Sequence, residues 1–295
     1  MIVNALSVDV EEYFHASIFR LATRVNGQRS FESRVEASVE RLLTLLAAAD
    51  TRATFFTLGA IAKTHPSLVR RIAVEGHEIA CHGDRHEDVC RQTPREFRRD
   101  IRRARARLED LVGASIVGYR APNFSIHAAQ SWAYEILLEQ GFRYDSSIYP
   151  ILHDRYGQPR APRFPYQIYS DRSTSLMEFP IGTARLFGVN LPIGGGGYFR
   201  VSPFELVRRG ILRVNTRERQ PVMFYVHPWE LDPDQPRPPM AWRHRFRHYV
   251  GMEREAAKLA CLLGEFRFAT AREVLQTHHV SIVEPVNNPV SVATA

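Results

Sequence analysis

IVNALSVDV (2–10) is an apolar, β-branched run that closes on an acid, Asp9, with Glu11 two residues beyond it. A run this apolar on consecutive residues reads as a strand covered on both faces, as in a parallel sheet, and the acids at its C-terminal end mark a polar site there. The same design recurs downstream. ATFFTLG (53–59), EIACHG (78–83), SIVGYRAP (115–122) and PVMFYVH (221–227) are short apolar runs, and the last three carry His82, Arg120 and His227 at or near their ends. Helical patterns lie between them. VEASVERLLTLLAAA (35–49) has apolar residues three and four apart. PSLVRRIAVEG opens on Pro66 and closes on Gly76, Thr93 with Glu96 predicts a capping box for a helix over 94–112 closed by Gly113, and a helix over 128–140 ends at Gly141. Strand and helix therefore alternate at roughly 35-residue intervals, which predicts βα units around a parallel sheet or barrel.

From 150 to 200 the alternation lapses into a stretch rich in Pro, Arg and Tyr, then EFPIG (178–182) and the run Gly194–Gly197. It reads as an irregular excursion, not a second domain. A helix over 203–216 and the strand PVMFYVH resume the pattern. A Pro-rich loop (232–239), a helix near 252–263 and a last short strand and helix in FRFATAREVL follow. The expectation is one domain over 1–280 with a loose tail at 281–295.

At 295 residues, 44% hydrophobic and 24% charged, the composition is that of a globular chain able to bury its own core. Cys81, Cys90 and Cys261 are odd in number and fit no disulfide framework or CxxC site, which favours a reducing compartment. The start MIVNALSVDVEEYF has no basic region and its apolar run is broken by Asn4, so no signal peptide is read, and no 18-residue apolar stretch predicts a membrane span. A cytoplasmic location is expected. Of the 39 basic residues only Lys63 and Lys258 are lysine, which leaves 37 arginines and a net charge of +7. A GC-rich genome accounts for this; attraction to an anionic glycan or a membrane surface does so too. No helix-turn-helix, zinc-finger or RNA-binding signature points to nucleic acid.

Polar residues gather at the predicted C-terminal strand ends, the rim where parallel barrels build active sites: Asp9 and Glu11, His82 and His86, Arg120, Asp145 and His227. His82 and His86 have H-x3-H spacing, which lets two imidazoles face one ion; Gly83 stands where a zinc protease would carry Glu, and suggests a loop leaving the strand. Asp9 and Glu11 share a strand face, and two acids there are costly unless paired or bound to a cation. One serves as third ligand and the other as general base, completing a 2-His-1-carboxylate set. Arg120 suits a bidentate hold on Asp9. His227 suits protonation of a leaving amine, with Asp145 setting its charge. Each residue taken alone also has a bland reading, a rim salt bridge or a core-edge histidine.

Together the segments SVDVEEYF (7–14), HGDRH (82–86), YRAPNFS (119–125), YDSSIYP (144–150) and FYVHPWELD (224–232) resemble the polysaccharide deacetylase superfamily, the family-four carbohydrate esterases that include the nodulation chitooligosaccharide deacetylases. GGGGYFR (194–200) and HPWELD are similar to a subfamily of exopolysaccharide loci in exosortase-bearing bacteria. The resemblance implies an α/β fold, a distorted (β/α)7 barrel, and removal of N-acetyl groups from an acetylated polysaccharide or oligosaccharide. It implies Zn2+, or another divalent ion such as Co2+, Ni2+ or Mn2+, on His82, His86 and one acid. It further implies Asp9 as base, Arg120 as the residue orienting it and His227 as acid. The family's two adjacent aspartates are here Asp9-Val10-Glu11, closer to the cyclic-imidase and allantoinase branch, so Glu11 is the expected third ligand and a small cyclic amide is the alternative substrate. A glycan-binding pseudoenzyme is the non-enzyme alternative. The backbone N–H of Asn123 is the expected oxyanion donor, and Trp229 and Tyr149, with Tyr13, Phe14 and Phe124, are candidates either for stacking on sugar rings or for packing. The oligomeric state is not readable.

Overall fold

Strand β1 (Val3–Val10) sorts its side chains by parity. Leu6, Val8 and Val10 enter one apolar cluster, while Ala5, Ser7 and Asp9 face the other way. A computed structural model describes residues 2–16, 19, 31–153, 156–239 and 241–277. The predicted tail at 281–295 lies outside them.

After β1 come α1 (Val35–Ala48), β2 (Thr54–Thr57), α2 (Gly59–Thr64), α3 (Pro66–Val74), β3 (Glu78–Cys81), α4 (Pro94–Val112), β4 (Gly118–Tyr119), α5 (Trp132–Glu139) and β5 (Tyr144–Asp145). The 150–200 stretch holds β6 (Tyr166–Ser170), β7 (Ser175–Glu178) and the hairpin β8 (Thr183–Leu186) and β9 (Val189–Pro192), and α6 (Gly196–Val201) follows. The chain then runs through α7 (Phe204–Arg213), β10 (Met223–Val226), α8 (Trp242–Tyr249), α9 (Met252–Glu265), β11 (Arg267–Ala269) and α10 (Ala271–Thr277).

The main sheet has the order β10-β1-β2-β3-β4-β5-β7-β6, with β11 beside the start of β1. Its pairings are parallel except β6 with β7. Single bridges from Ile181 to Met223 and from Gly195 to Tyr225 join the far side back to β10. β1 to β5, β7 and β10 thus curl into a distorted (β/α)7 barrel whose last seam is two bridges instead of a ladder. Glycine is required at that seam: Gly195 has φ +105, and a Cβ there would sit 1.9 Å from the Tyr225 carbonyl oxygen.

Inward and outward faces alternate on every long strand. Phe55, Ile79, Cys81, Phe224 and Val226 meet the helix layer; Phe56, Ala80, Met223 and Tyr225 fill the barrel. The helices answer at their own period. α4 presents Phe97, Ile101, Ala104 and Leu108 to the sheet, and its Thr93–Glu96 capping box forms as expected. Truncating Phe97, which is fully buried, to Ala is expected to cost ~3–5 kcal/mol.

The 150–200 stretch is more ordered than its pattern predicts, and β7 is a barrel strand. Four residues between a loop and EFPIG give too short a period to read. The run 115–122 narrows to two paired residues, and the short α2 and α8 have no apolar repeat long enough to announce them. Among the described residues no helix is long and apolar enough to cross a membrane.

Candidate metal centre and active site

Parallel pairing brings all barrel strands to one rim, and parity decides which residues reach the interior. Asp9 faces in, so Glu11 two residues on does too; His82 follows inward Ala80 and His227 follows inward Tyr225. Gly83 (φ +80) then turns the chain to bring His86 back to the same place.

Glu11, His82 and His86 are each at most 3% exposed, and one ligand atom from each lies within 4.8 Å of the others. Nδ1 of His82 is 2.8 Å from the Arg120 carbonyl, so Nδ1–H donates outward and Nε2 keeps its lone pair for the cluster. Burial lowers this ring to about 4, which keeps it neutral, the form that ligates. Nε2 of His86 is 2.5 Å from Glu11 Oε2, and His86 sits at φ 57, a costly backbone for a non-glycine residue. Trp229 Nε1 donates to Glu11 Oε1 at 3.0 Å. Burial works to raise the Glu11 carboxyl, but His86 and then His227 and His15 pull it well below the usual carboxylate range. A buried carboxylate facing two imidazoles fits a divalent ion of the Zn2+ type. Asp9 falls outside this set, so geometry groups Glu11 with the histidines.

Arg120 is fully buried and spends its donors widely. Nη1 donates to Asp9 Oδ1 at 2.7 Å and to Ser7 Oγ at 2.9 Å, Nη2 to Ser146 Oγ at 2.8 Å, and Nε to the Ser146 carbonyl at 3.0 Å. Its guanidinium lies 4.1 Å over the Phe56 ring. The hold on Asp9 is therefore single, not bidentate, because a buried guanidinium must satisfy every N–H. Ser7 and Ser146, which complete it, carried no sequence signal.

Nε2 of His227 is 3.9 Å from Asp9 Oδ2 and 3.8 Å from Glu11 Oε1, while Nδ1 is 3.3 Å from Glu230 Oε2. Burial works to lower this ring, but Glu230 above all, then Glu11 and Asp9, raise it to about 9. Glu230 is itself fully buried; burial works to raise it, and His227 and Arg200 bring it down to about 2. Arg200 Nε donates to Glu230 Oε1 at 2.9 Å, and both are buried.

The expectation that Asp145 sets the charge of His227 is corrected here. Tyr144 faces the barrel interior, so its neighbour Asp145 faces the helix layer. There it accepts from Ser147 Oγ at 2.6 Å and pairs with buried Glu178. Burial pushes Asp145 up to about 6, against those hydrogen bonds, and pushes Glu178 well above the carboxylate range, so Glu178 holds the proton of the pair. Glu230 supports His227 instead. Its spacing, three residues on in HPWE, was the available signal.

Trp229 does not offer a ring face to a sugar. It is 7% exposed and stacked between His227 at 4.9 Å and His248 at 4.7 Å. Tyr149 is fully buried inside the barrel against Phe124, Tyr156 and Tyr225. Tyr13 and Phe124 are buried too, and Phe14 is half-buried. Asn123 and Phe124 both have positive φ, 54 and 52, and the Asn123 side chain donates to Asp88 Oδ1 at 2.7 Å. This strained turn leaves the Asn123 N–H without an acceptor among the described residues.

Residues 29–141 match the family model described as polysaccharide deacetylase, and 146–276 match a domain of unknown function, DUF3473. The likeness to the polysaccharide deacetylase model thus extends over 113 of the 295 residues. A peptidoglycan deacetylase of Helicobacter pylori is 30% identical over 113 residues, 38% of this chain and 38% of that protein. A chitooligosaccharide deacetylase of Sinorhizobium fredii is 39% identical over 82 residues, 28% of this chain and 38% of that one. The chain thus spans less than half the length of the relatives it matches. Among solved structures, the fold is similar to a Mycobacterium smegmatis protein provisionally described as a polysaccharide deacetylase (TM-score 0.61, 20% identity, 94% of this chain and 89% of that one). It is also similar to Puue allantoinase (TM-score 0.59, 16% identity, 95% and 91%). At these identities the likeness concerns the fold. The segment that matches the polysaccharide deacetylase model holds His82, His86 and Arg120, whereas Arg200, His227 and Glu230 fall in the DUF3473 segment.

Proposed function

We propose that the protein is a metal-dependent hydrolase that removes N-acetyl groups from amino sugars of a polysaccharide or oligosaccharide. One observation carries the reading: a buried Glu-His-His cluster stands beside a second carboxylate, Asp9, and a charged imidazole, His227, within 3.9 Å of Asp9 and Glu11. The match to the polysaccharide deacetylase model and the relatives named above support the same chemistry.

Glu11, His82 and His86 would hold the ion, Zn2+ or a similar divalent metal, and the chemistry it supplies when bound is polarisation of the acetamide carbonyl and of the attacking water. Asp9 takes the water's proton. Arg120 grips Oδ1, which leaves Oδ2 on the His227 side to receive it. The Asn123 N–H donates to the oxyanion, a contact that typically supplies ~3 kcal/mol of transition-state stabilisation. His227, charged at neutral pH, gives its Nε2 proton to the departing amine, and acetate leaves.

Acetate release from N-acetylated amino-sugar oligomers, measured with Zn2+ restored, tests the proposal. Asp9→Asn is expected to abolish turnover while keeping metal content; full activity in that variant refutes the base. The Asp9-Val10-Glu11 spacing favours a cyclic amide as the second reading, so allantoin is the comparison substrate. Turnover of allantoin alone would replace the deacetylase assignment.

A further inference from the structure

Helix α8, WRHRFRHY, is fastened by one end only. His248 is 4% exposed, donates from Nε2 to Gln235 Oε1 at 2.8 Å and stacks on Trp229, and the Tyr249 hydroxyl donates to the Pro236 carbonyl. Trp242, Arg243, Arg245, Phe246 and Arg247 are exposed. Trp242 is 79% exposed and Phe246 is 61% exposed, and a spacing of four places them one above the other on a single face. Isolated apolar side chains on a surface are ordinary; two large aromatics stacked on one protruding helix are not.

The charges around them decide what that face meets. Residues 237–252 hold Arg237, Arg243, Arg245 and Arg247 and no acid. Some arginines elsewhere in the chain find carboxylates: Arg34 and Arg41 meet Asp232, Arg71 meets Glu40, Arg98 meets Glu139, and Arg105 meets Glu109. Arg243, Arg245 and Arg247 are exposed and make no ion pair with the described residues. An aromatic face bordered by unpaired arginines matches an anionic bilayer surface, where the rings enter the headgroup boundary and the guanidiniums meet phosphates. A soluble acidic glycan would satisfy the arginines but gives little reason for Trp242 and Phe246 to stand clear of the protein together.

We propose that α8 is a membrane-surface anchor that docks the protein on anionic lipid through Trp242 and Phe246 and the arginines 243, 245 and 247. The proposal is independent of the catalytic reading. It touches the site at one place, His248, which stacks on the Trp229 ring that holds Glu11.

Flotation of the full chain with phosphatidylcholine vesicles, with and without about one-third phosphatidylglycerol, tests it. Binding is expected only to the anionic vesicles. Replacing Arg243, Arg245 and Arg247 together by Gln is expected to lower partitioning on the order of a hundredfold. Trp242→Ser with Phe246→Ser is expected to lower it by at least about tenfold with the arginines intact. Both variants change exposed side chains, and unchanged melting curves confirm that they fold. Three results overturn the proposal: equal binding to neutral vesicles or to none, anionic binding that the aromatic variant leaves unaltered, or binding to a soluble polyuronate that vesicles do not compete away. Concentration-dependent self-association that the aromatic variant abolishes, without vesicle binding, also overturns it and assigns the face to a second copy of the chain.

Discussion

Replacing Glu230 by Gln isolates the charge that sustains His227. Burial alone would lower the ring; with Glu230, Glu11 and Asp9 around it, it stands at about 9 instead of 6.5. That displacement corresponds to roughly 3 kcal/mol of preference for the charged ring. An ion held by Glu11, His82 and His86 draws on the Glu11 charge, so Glu230, on the Nδ1 side of the ring, becomes the main support. An opposite charge at this range is worth about 1–3 pH units, so Glu230→Gln is expected to move the alkaline limb of kcat/KM acidward by that amount. Acetate release should then fall by about twofold, for a shift of one unit, to about a hundredfold, for three, at about pH 8 and stay within about twofold near pH 6. Because the folded pKa lies above the unfolded one, the ring's contribution to stability is complete below about 6.5 and is lost as pH rises through about 9, a decline the variant should flatten in thermal melts. An alkaline limb that stays in place, or an equal loss at every pH, would refute His227 as a Glu230-supported acid.

Trp229→Phe keeps the ring between His227 and His248 but deletes the N–H on Glu11, and is expected to weaken Zn2+ affinity by about 10–100-fold, read by competition with a chelator. Arg120→Met leaves Asp9 buried without its counter-charge; unfolding in urea should show a loss of ~3–5 kcal/mol. Glu178→Gln replaces a protonated carboxyl by an amide donor toward Asp145, and stability should change by less than about 1.5 kcal/mol. Asp145 itself, raised to about 6 from 3.8, contributes fully below about 3.8 and loses that contribution as pH rises through 6; Asp145→Asn should remove this part of the pH dependence.

Much of the site was legible because it lies at strand ends, and strand ends are marked by where an apolar run stops. Asp9, Glu11, His82, Arg120 and His227 each follow such a run. Period-two geometry also separates Cys81 from His82 without coordinates. The same parity, applied to Tyr144 and Asp145, would have excluded Asp145 from the barrel interior, but only once Tyr144 was known to face inward. β7 and α8 were missed for another reason. β7 is four residues long, and α8 has no core-facing apolar stripe, because its large apolar side chains face outward.

The order of strands, their alternation with helices and the residue types gathered at one rim were determined by the sequence itself, since hydrophobic period and chain polarity are local properties. Which acid joins the histidines, which carboxylate supports His227, and how Arg120 divides its donors were decided only by tertiary structure. Those choices depend on separations of a few ångströms between segments up to 218 residues apart, as between Glu11 and Trp229, and no local pattern encodes them.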